Sequence, residues 1–294
     1  MTTISGVPTV SARRRLVSVL AVAGTVPYLT LKVAWLSGSR VGLLDPDFGR
    51  SATMHLANAA TLVMDAVAVL LAVAFVARWR LRVPSPLVLA PMWVGTGLLA
   101  PIVVILPLQI MIGVPESSAS GPTAIADWVY LVVYAGFFWQ GVFLMLGFAL
   151  WARERWGEVA GRPLGSTHAT ATTRAAWVLL ASTAVLLALG ADDHGAIAWP
   201  NLGGDLAAVL AAGLGLGLLH LGTGPRWRAV VLTWLGSGAL LTWGVYQLVL
   251  QTVPNDLVDA STVTTVDVTT QLVRVAAGLA VLAAARQVGR ALQH

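Results

Sequence analysis

Few side chains here can do chemistry, and their spacing is informative. His55, Asn58, Thr61 and Asp65 recur at intervals of three or four residues, which puts them on one stripe of a helix. Asp65 lies about 17 Å from one end of the hydrophobic segment that carries it, near the middle of a bilayer. A carboxylate at that depth must be protonated, paired or hydrated. Two readings follow. Asp65 is a proton or cation site on the wall of a polar cavity, or it is a structural acid that hydrogen-bonds a neighbouring helix. Lys32, the sole lysine, lies about 6 Å inside the corresponding end of the first segment and shares a face with Tyr28 and Trp35. It either extends to the interface, as long cationic side chains do, or turns inward toward Asp65 or Asn58. Its depth differs from that of Asp65 by roughly 10 Å, so direct contact requires a tilt or the bend that Pro27 permits.

The fourth segment sets Asp127, Tyr130, Tyr134, Phe137, Phe138 and Gly141 on one broad face, with Gln140 near mid-depth. The seventh groups Trp243, Tyr246 and Gln247, with Gln251 beyond them. Gln109, and Gln271 with Arg274, lie near the matching ends of the third and eighth. Interface anchoring accounts for aromatics at the rim, but Tyr134, Gln140 and Gln247 are too deep for it. The candidate ligand-binding set is therefore Tyr28, Lys32, Asn58, Asp65, Tyr134, Gln140 and Gln247. All occupy the half of the membrane away from the termini. The other half offers mainly His220 and scattered Ser and Thr.

Composition dictates what holds these residues. Of 294 residues, 57% are hydrophobic and 11% charged, against roughly 25% charged in soluble domains, and the mean hydropathy is +0.80. That excludes a soluble globular protein, a disordered chain and a disulfide scaffold. The absence of cysteine removes disulfides, thiolate nucleophiles, iron–sulfur ligation and cysteine-based zinc sites. The expected fold is all-α: a polytopic transmembrane bundle of about eight helices in one integral membrane domain, residues 1–294. The segments run 16–36, 54–77, 86–110, 125–150, 175–190, 204–222, 229–251 and 271–290. Without strict alternation of polar and apolar residues, a β-barrel is not expected.

The charges alternate with the crossings. Fourteen of the 18 basic residues flank one side: Arg13, Arg14 and Arg15; Arg78, Arg80 and Arg82; Arg153, Arg155, Arg162 and Arg174; Arg226 and Arg228; Arg286 and Arg290. Ten of the 13 acids fall on the other: Asp45, Asp47, Glu116, Asp127, Asp192, Asp193, Asp205, Asp256, Asp259 and Asp267. By the positive-inside rule both termini are cytoplasmic, in a bacterial cytoplasmic membrane. The basic balance, pI ≈ 10.4, belongs to these membrane edges and implies no nucleic acid. Arg13–Arg15 followed by Ala21-Val22-Ala23 mimics a cleaved leader, but the apolar run continues to Leu36, so a retained first helix is expected.

Trp93-x-Gly95-x-Gly97 is echoed by Trp234-x-Gly236-x-Gly238, and Arg78-Trp79-Arg80 by Arg226-Trp227-Arg228. Either the chain is two parallel four-helix repeats, in halves 1–150 and 175–294 linked by the loop 152–174, or a small alphabet has produced chance similarity. Gly213-x-Gly215-x-Gly217 lies in an apolar helix without a preceding strand, so it is no nucleotide loop. Gly213 and Gly217 are expected to form a packing face. Pro91, Pro101 and Pro107 make the third segment a candidate bent helix. Asp192-Asp193-His194 reads as solvated loop, so no metal is expected, and no cofactor motif is present.

Pro27-Tyr28, Leu31-Lys32, Trp35, Gly38 and Gly42, with Trp93-x-Gly95-x-Gly97-Leu98-Leu99 and Tyr134-x-Gly136-Phe137 before Gln140-Gly141, resemble short stretches of uncharacterised multi-pass proteins of high-GC Gram-positive bacteria. The resemblance implies membrane residence and carries no activity. Three functions remain open. One is a small-molecule or ion handling protein, such as a transporter, with an outward-facing polar pocket. Another is a non-catalytic partner or sensor subunit held by a membrane protein. The third is a membrane-embedded enzyme on a lipid or isoprenoid with Asp65 as general acid, weakened by the lack of a second acid at that depth.

Overall fold

Each expected span is a helix. A computed structural model describes residues 11–76, 84–111, 124–165, 170–190, 199–258 and 260–291. The eight helices are α1 (Ala12–Leu36), α2 (Ala52–Val76), α3 (Ser85–Met111), α4 (Asp127–Gly161), α5 (Ala171–Leu189), α6 (Trp199–Leu221), α7 (Arg226–Thr252) and α8 (Thr265–Ala291). All eight are long and apolar enough to cross a bilayer, because each must satisfy its backbone polar groups internally. The chain is thus an all-α, multi-pass membrane protein. The Arg78-Trp79-Arg80 motif, Arg82, Glu116, Asp192-Asp193-His194, Asp259 and the side chain of Arg290 lie outside the described residues.

The largest departures from the sequence reading are at α4, α8 and α6, which begins at Trp199, five residues before its expected start. Helix α4 continues eleven residues beyond 150, through the first ten residues of the expected loop 152–174. The extension is held by an ion pair from Arg14 of α1 to Glu154 and by Trp151 set edge-on to Trp156 at 5.2 Å. Helix α8 begins at Thr265, six residues before the expected start. Thr264 and Asp267 cap it reciprocally: the Thr264 amide donates to Asp267 Oδ2 at 2.8 Å, and the Asp267 amide to Thr264 Oγ1 at 3.2 Å. This satisfies amides that would otherwise be orphaned at a helix start. Helix α3 stays continuous through Pro91, Pro101 and Pro107.

In lipid, helices associate through close packing rather than hydrophobic transfer, and small residues set the contacts. A Cβ on Gly136 of α4 would lie 3.4 Å from the Gly24 carbonyl of α1. On α6, Gly215 faces α7, where a Cβ would come within 2.5 Å of the Thr233 nitrogen. The expected packing face is met at Gly213 and not at Gly217. Residues four apart share a face, and here that face is turned from α7: Gly213 meets Trp177 of α5, and Gly217 has open space.

Helices α1–α2, α1–α4, α2–α3, α2–α4 and α3–α4 pack together, and so do the corresponding pairs α5–α6, α5–α8, α6–α7, α6–α8 and α7–α8. The two sets of four meet chiefly along α3 and α7, and there the echoed motifs touch. Trp93 Nε1 donates to Ser237 Oγ at 3.2 Å, and Trp234 Nε1 donates to Thr96 Oγ1 at 2.8 Å. Gly97 and Gly238 lie backbone to backbone, leaving no room for a Cβ on Gly97. Each motif thus gives one tryptophan hydrogen bond and receives one, and Trp93 Nε1 is shared with the Trp234 carbonyl at 3.2 Å.

At the end away from the termini, the segment after α1 folds onto the start of α4. The Leu44 amide donates to the Ala124 carbonyl and the Ala126 amide to the Gly42 carbonyl, both at 2.8 Å. Gly42 has φ +74°, and a Cβ there would strike Val129 and Trp128 of α4, so only glycine serves both the backbone and the contact. The Gly49 amide donates to Asp256 Oδ2 at 2.8 Å, tying this segment to the one after α7.

Candidate functional site

The α1–α4 contact at Gly24 and Gly136 fixes the faces that carry Tyr28 and Gln140. Trp139 Nε1 donates to the Leu20 carbonyl at 2.8 Å, and the Tyr28 ring meets Phe137 edge-on at 4.8 Å. One turn beyond Tyr28, Lys32 is turned inward and is 6% exposed. Its Nζ donates to Asn58 Oδ1 of α2 at 2.6 Å. It lies 4.6 Å from the centre of the Tyr28 ring and 5.4 Å from that of Trp35, where ring faces attract a cation. The aromatic pair and the amide oxygen replace part of the ammonium's lost hydration. Of the two options for Lys32, the inward one is realised, and its partner is Asn58.

Two turns further into the membrane along α2, Asp65 is 5% exposed. Gln140 Nε2 of α4 donates to its Oδ1 at 3.3 Å. Its Oδ2 is buried and accepts no hydrogen bond from the described residues. Among the described residues, no cation lies within ion-pair distance of Asp65, although Lys32 acts on it electrostatically. A hydrogen bond to a charged group contributes about 1.5–3 kcal/mol. Burying an unpaired carboxylate costs several kcal/mol. One long amide contact does not balance that, and it leaves Oδ2 open to a further hydrogen-bond or ionic partner. No group of three or more His, Asp or Glu able to hold a metal forms among the described residues.

The remaining candidates divide. Tyr134 is half-buried, and it and Asp65 act electrostatically on the Tyr28 hydroxyl, which also reaches Thr61. Thr61, on the polar stripe but absent from the candidate set, thus belongs to the cluster. Gln247 is half-buried on α7 and, among the described residues, hydrogen-bonds none of the other six. Tyr28, Lys32 and Asn58 therefore form one contact group and Asp65 with Gln140 a second, both at the junction of α1, α2 and α4 and coupled electrostatically through Lys32 and Asp65, with Tyr134 beside them and Gln247 apart.

A second buried polar site lies in the last four helices. Arg274 of α8, 3% exposed, donates from Nη2 to Asp205 Oδ1 of α6 at 2.5 Å and from Nη1 to Gln271 Oε1 at 3.2 Å. The sequence reading set Asp205 among the acids of the membrane surface and Arg274 near a helix end. The early start of α8 puts Arg274 nine residues inside the helix, about 13 Å along its axis. The Thr264–Asp267 capping pattern was the signal that reveals this.

Two hollows open elsewhere. A cleft of about 300 Å³ lies between α6, α7 and α8 toward the end that carries the termini. An apolar groove of about 510 Å³ runs along α5 and α6. Comparison with family models, curated proteins and solved structures finds no match to this chain.

Proposed function

We propose that the chain is a multi-pass protein of the bacterial cytoplasmic membrane, with both termini in the cytoplasm. It handles or transports a small molecule or ion through a polar pocket opening outward. Tyr28, Lys32, Asn58, Asp65, Tyr134 and Gln140 line the route. Fourteen of 18 basic residues on the terminus-bearing side support the orientation. The observation that carries the function is the second oxygen of Asp65, buried and unpartnered while the first is held by Gln140. An intramembrane acid so arranged is the usual mark of an ion or proton pathway. A proton or small cation satisfies Oδ2, and Lys32, anchored to Asn58, is the internal cation that responds to its arrival. The equivalent pairing of helices in the two sets of four supports two parallel repeats, an arrangement found in transporters.

The test is flux in vesicles. Purified protein is reconstituted with a trapped pH dye, and sodium or potassium gradients are imposed. Wild-type protein is expected to move protons against the imposed ion, Asp65→Asn to move none, and Lys32→Gln to show altered ion dependence. Equal flux from wild type and Asp65→Asn under every gradient overturns the reading.

A further inference from the structure

We infer that the cleft between α6, α7 and α8 is a binding site for an anionic phospholipid. The phosphate sits on Arg226 and Arg286, and an acyl chain runs into the bundle. The cleft of about 300 Å³ is walled by Leu219, Val230, Trp234 and Ala285, with the two arginines among its lining residues. Arg226 opens α7 and Arg286 lies in the last turns of α8, so both stand at the same end of the bundle. From Arg226 to Ser237, the deepest lining residue of α7, is about 16 Å along the helix. The hollow therefore runs from a charged mouth toward the membrane interior.

Its chemistry selects an amphiphile. Arg226 Nε is buried without a hydrogen-bond partner. Neither guanidinium is in an ion pair among the described residues. The indole nitrogen of Trp234 is already engaged by Thr96, and the hydroxyls of Thr233 and Ser237 donate to carbonyls of their own helix, so the deep wall is mainly apolar. A free anion gains nothing from those walls, and a zwitterionic lipid brings its own cation beside the two arginines. Basic pockets between helices at a membrane surface recognise anionic headgroups in this way. The positive end of the α7 dipole adds to the attraction.

Native mass spectrometry of the full chain in detergent, titrated with dioleoylphosphatidylglycerol, dioleoylphosphatidylcholine and inorganic phosphate, tests this. Phosphatidylglycerol is expected to bind about tenfold or more tighter than phosphatidylcholine, with phosphate alone far weaker than either. The pair Arg226→Gln with Arg286→Gln is expected to erase that preference. Arg286→Gln alone, at an exposed position, is expected to weaken it without disturbing the fold. Ala285→Phe, which fills the cleft and keeps both arginines, is expected to lose lipid binding. Equal binding of the two lipids overturns the site, as does a preference retained without the arginines. Ala285→Phe binding like wild type, or phosphate matching the lipid, rejects the acyl-chain half of the proposal.

Discussion

Asp65 and Asp205 both stand on the second helix of their set of four, and both reach toward the fourth. Gln140 answers the first through one long hydrogen bond, and Arg274 answers the second with a charge at 2.5 Å. Arg274 is further held by Gln271, so at the α6–α8 site the two charges answer each other, although Arg274 Nε has no hydrogen-bond partner among the described residues. The α2–α4 site leaves one carboxylate oxygen unanswered, while the nearest cation is occupied by Asn58. The same helix pairing thus serves two ends. One pair locks helices together. The other keeps a group available at a cost in stability, and that cost is the physical argument for function.

Removing one partner from each site separates the two roles. The largest effect belongs to Arg274→Leu, which leaves Asp205 without its countercharge and is expected to cost about 3–5 kcal/mol. Thermal unfolding in detergent measures it, and adding Asp205→Asn to the same chain should recover much of the loss. A loss below about 1 kcal/mol would show that Asp205 is solvated and that the two sites do not differ. Next comes the seam between the two sets of helices. Gly97→Ala places a methyl against the Gly238 backbone and is expected to cost about 1–3 kcal/mol. Gly238→Ala, whose Cβ would lie 3.1 Å from the Trp93 carbonyl, should cost less. Equal values would show that the seam yields alike on both sides.

Smaller still is Trp234→Phe, which keeps most of the ring packing and removes the bond to Thr96, at about 1 kcal/mol. Trp93→Phe should match it if the reciprocal bonds are equivalent, and an effect confined to one tryptophan would show that they are not. The smallest effect is expected at the site argued to be functional. Asp65→Asn retains the volume and removes a buried carboxylate while leaving an amide group in the unpartnered place, so the two terms offset and stability should change by no more than about 1 kcal/mol. A loss comparable to that of Arg274→Leu would identify Asp65 as structural.

The spans were legible because bilayer thickness sets helix length, and composition reports it directly. The depth of Asp65 was legible for the same reason, since position along a helix converts to distance at a fixed rise. The direction in which a side chain turns was not. Gln247 matches the others in depth, yet it sits on α7 without a bond to them. Gly215 faces α7 although Gly213 and Gly217 looked equally suited. Lys32 could be placed near two partners, and only the packing of α1 on α2 chose Asn58. Arg274 was misplaced through its helix boundary, because a local Thr264–Asp267 cap outweighed the polar composition that looked like loop.

The contrast between the two carboxylates is tested most directly by labelling with a membrane-permeant hydrophobic carbodiimide, which reacts with carboxyl groups not engaged by a cation, followed by peptide mass spectrometry. The account predicts an adduct on Asp65, reduced when the coupling ion is present, and none on Asp205 unless Arg274 is replaced. An adduct on Asp205 with Asp65 untouched would contradict it.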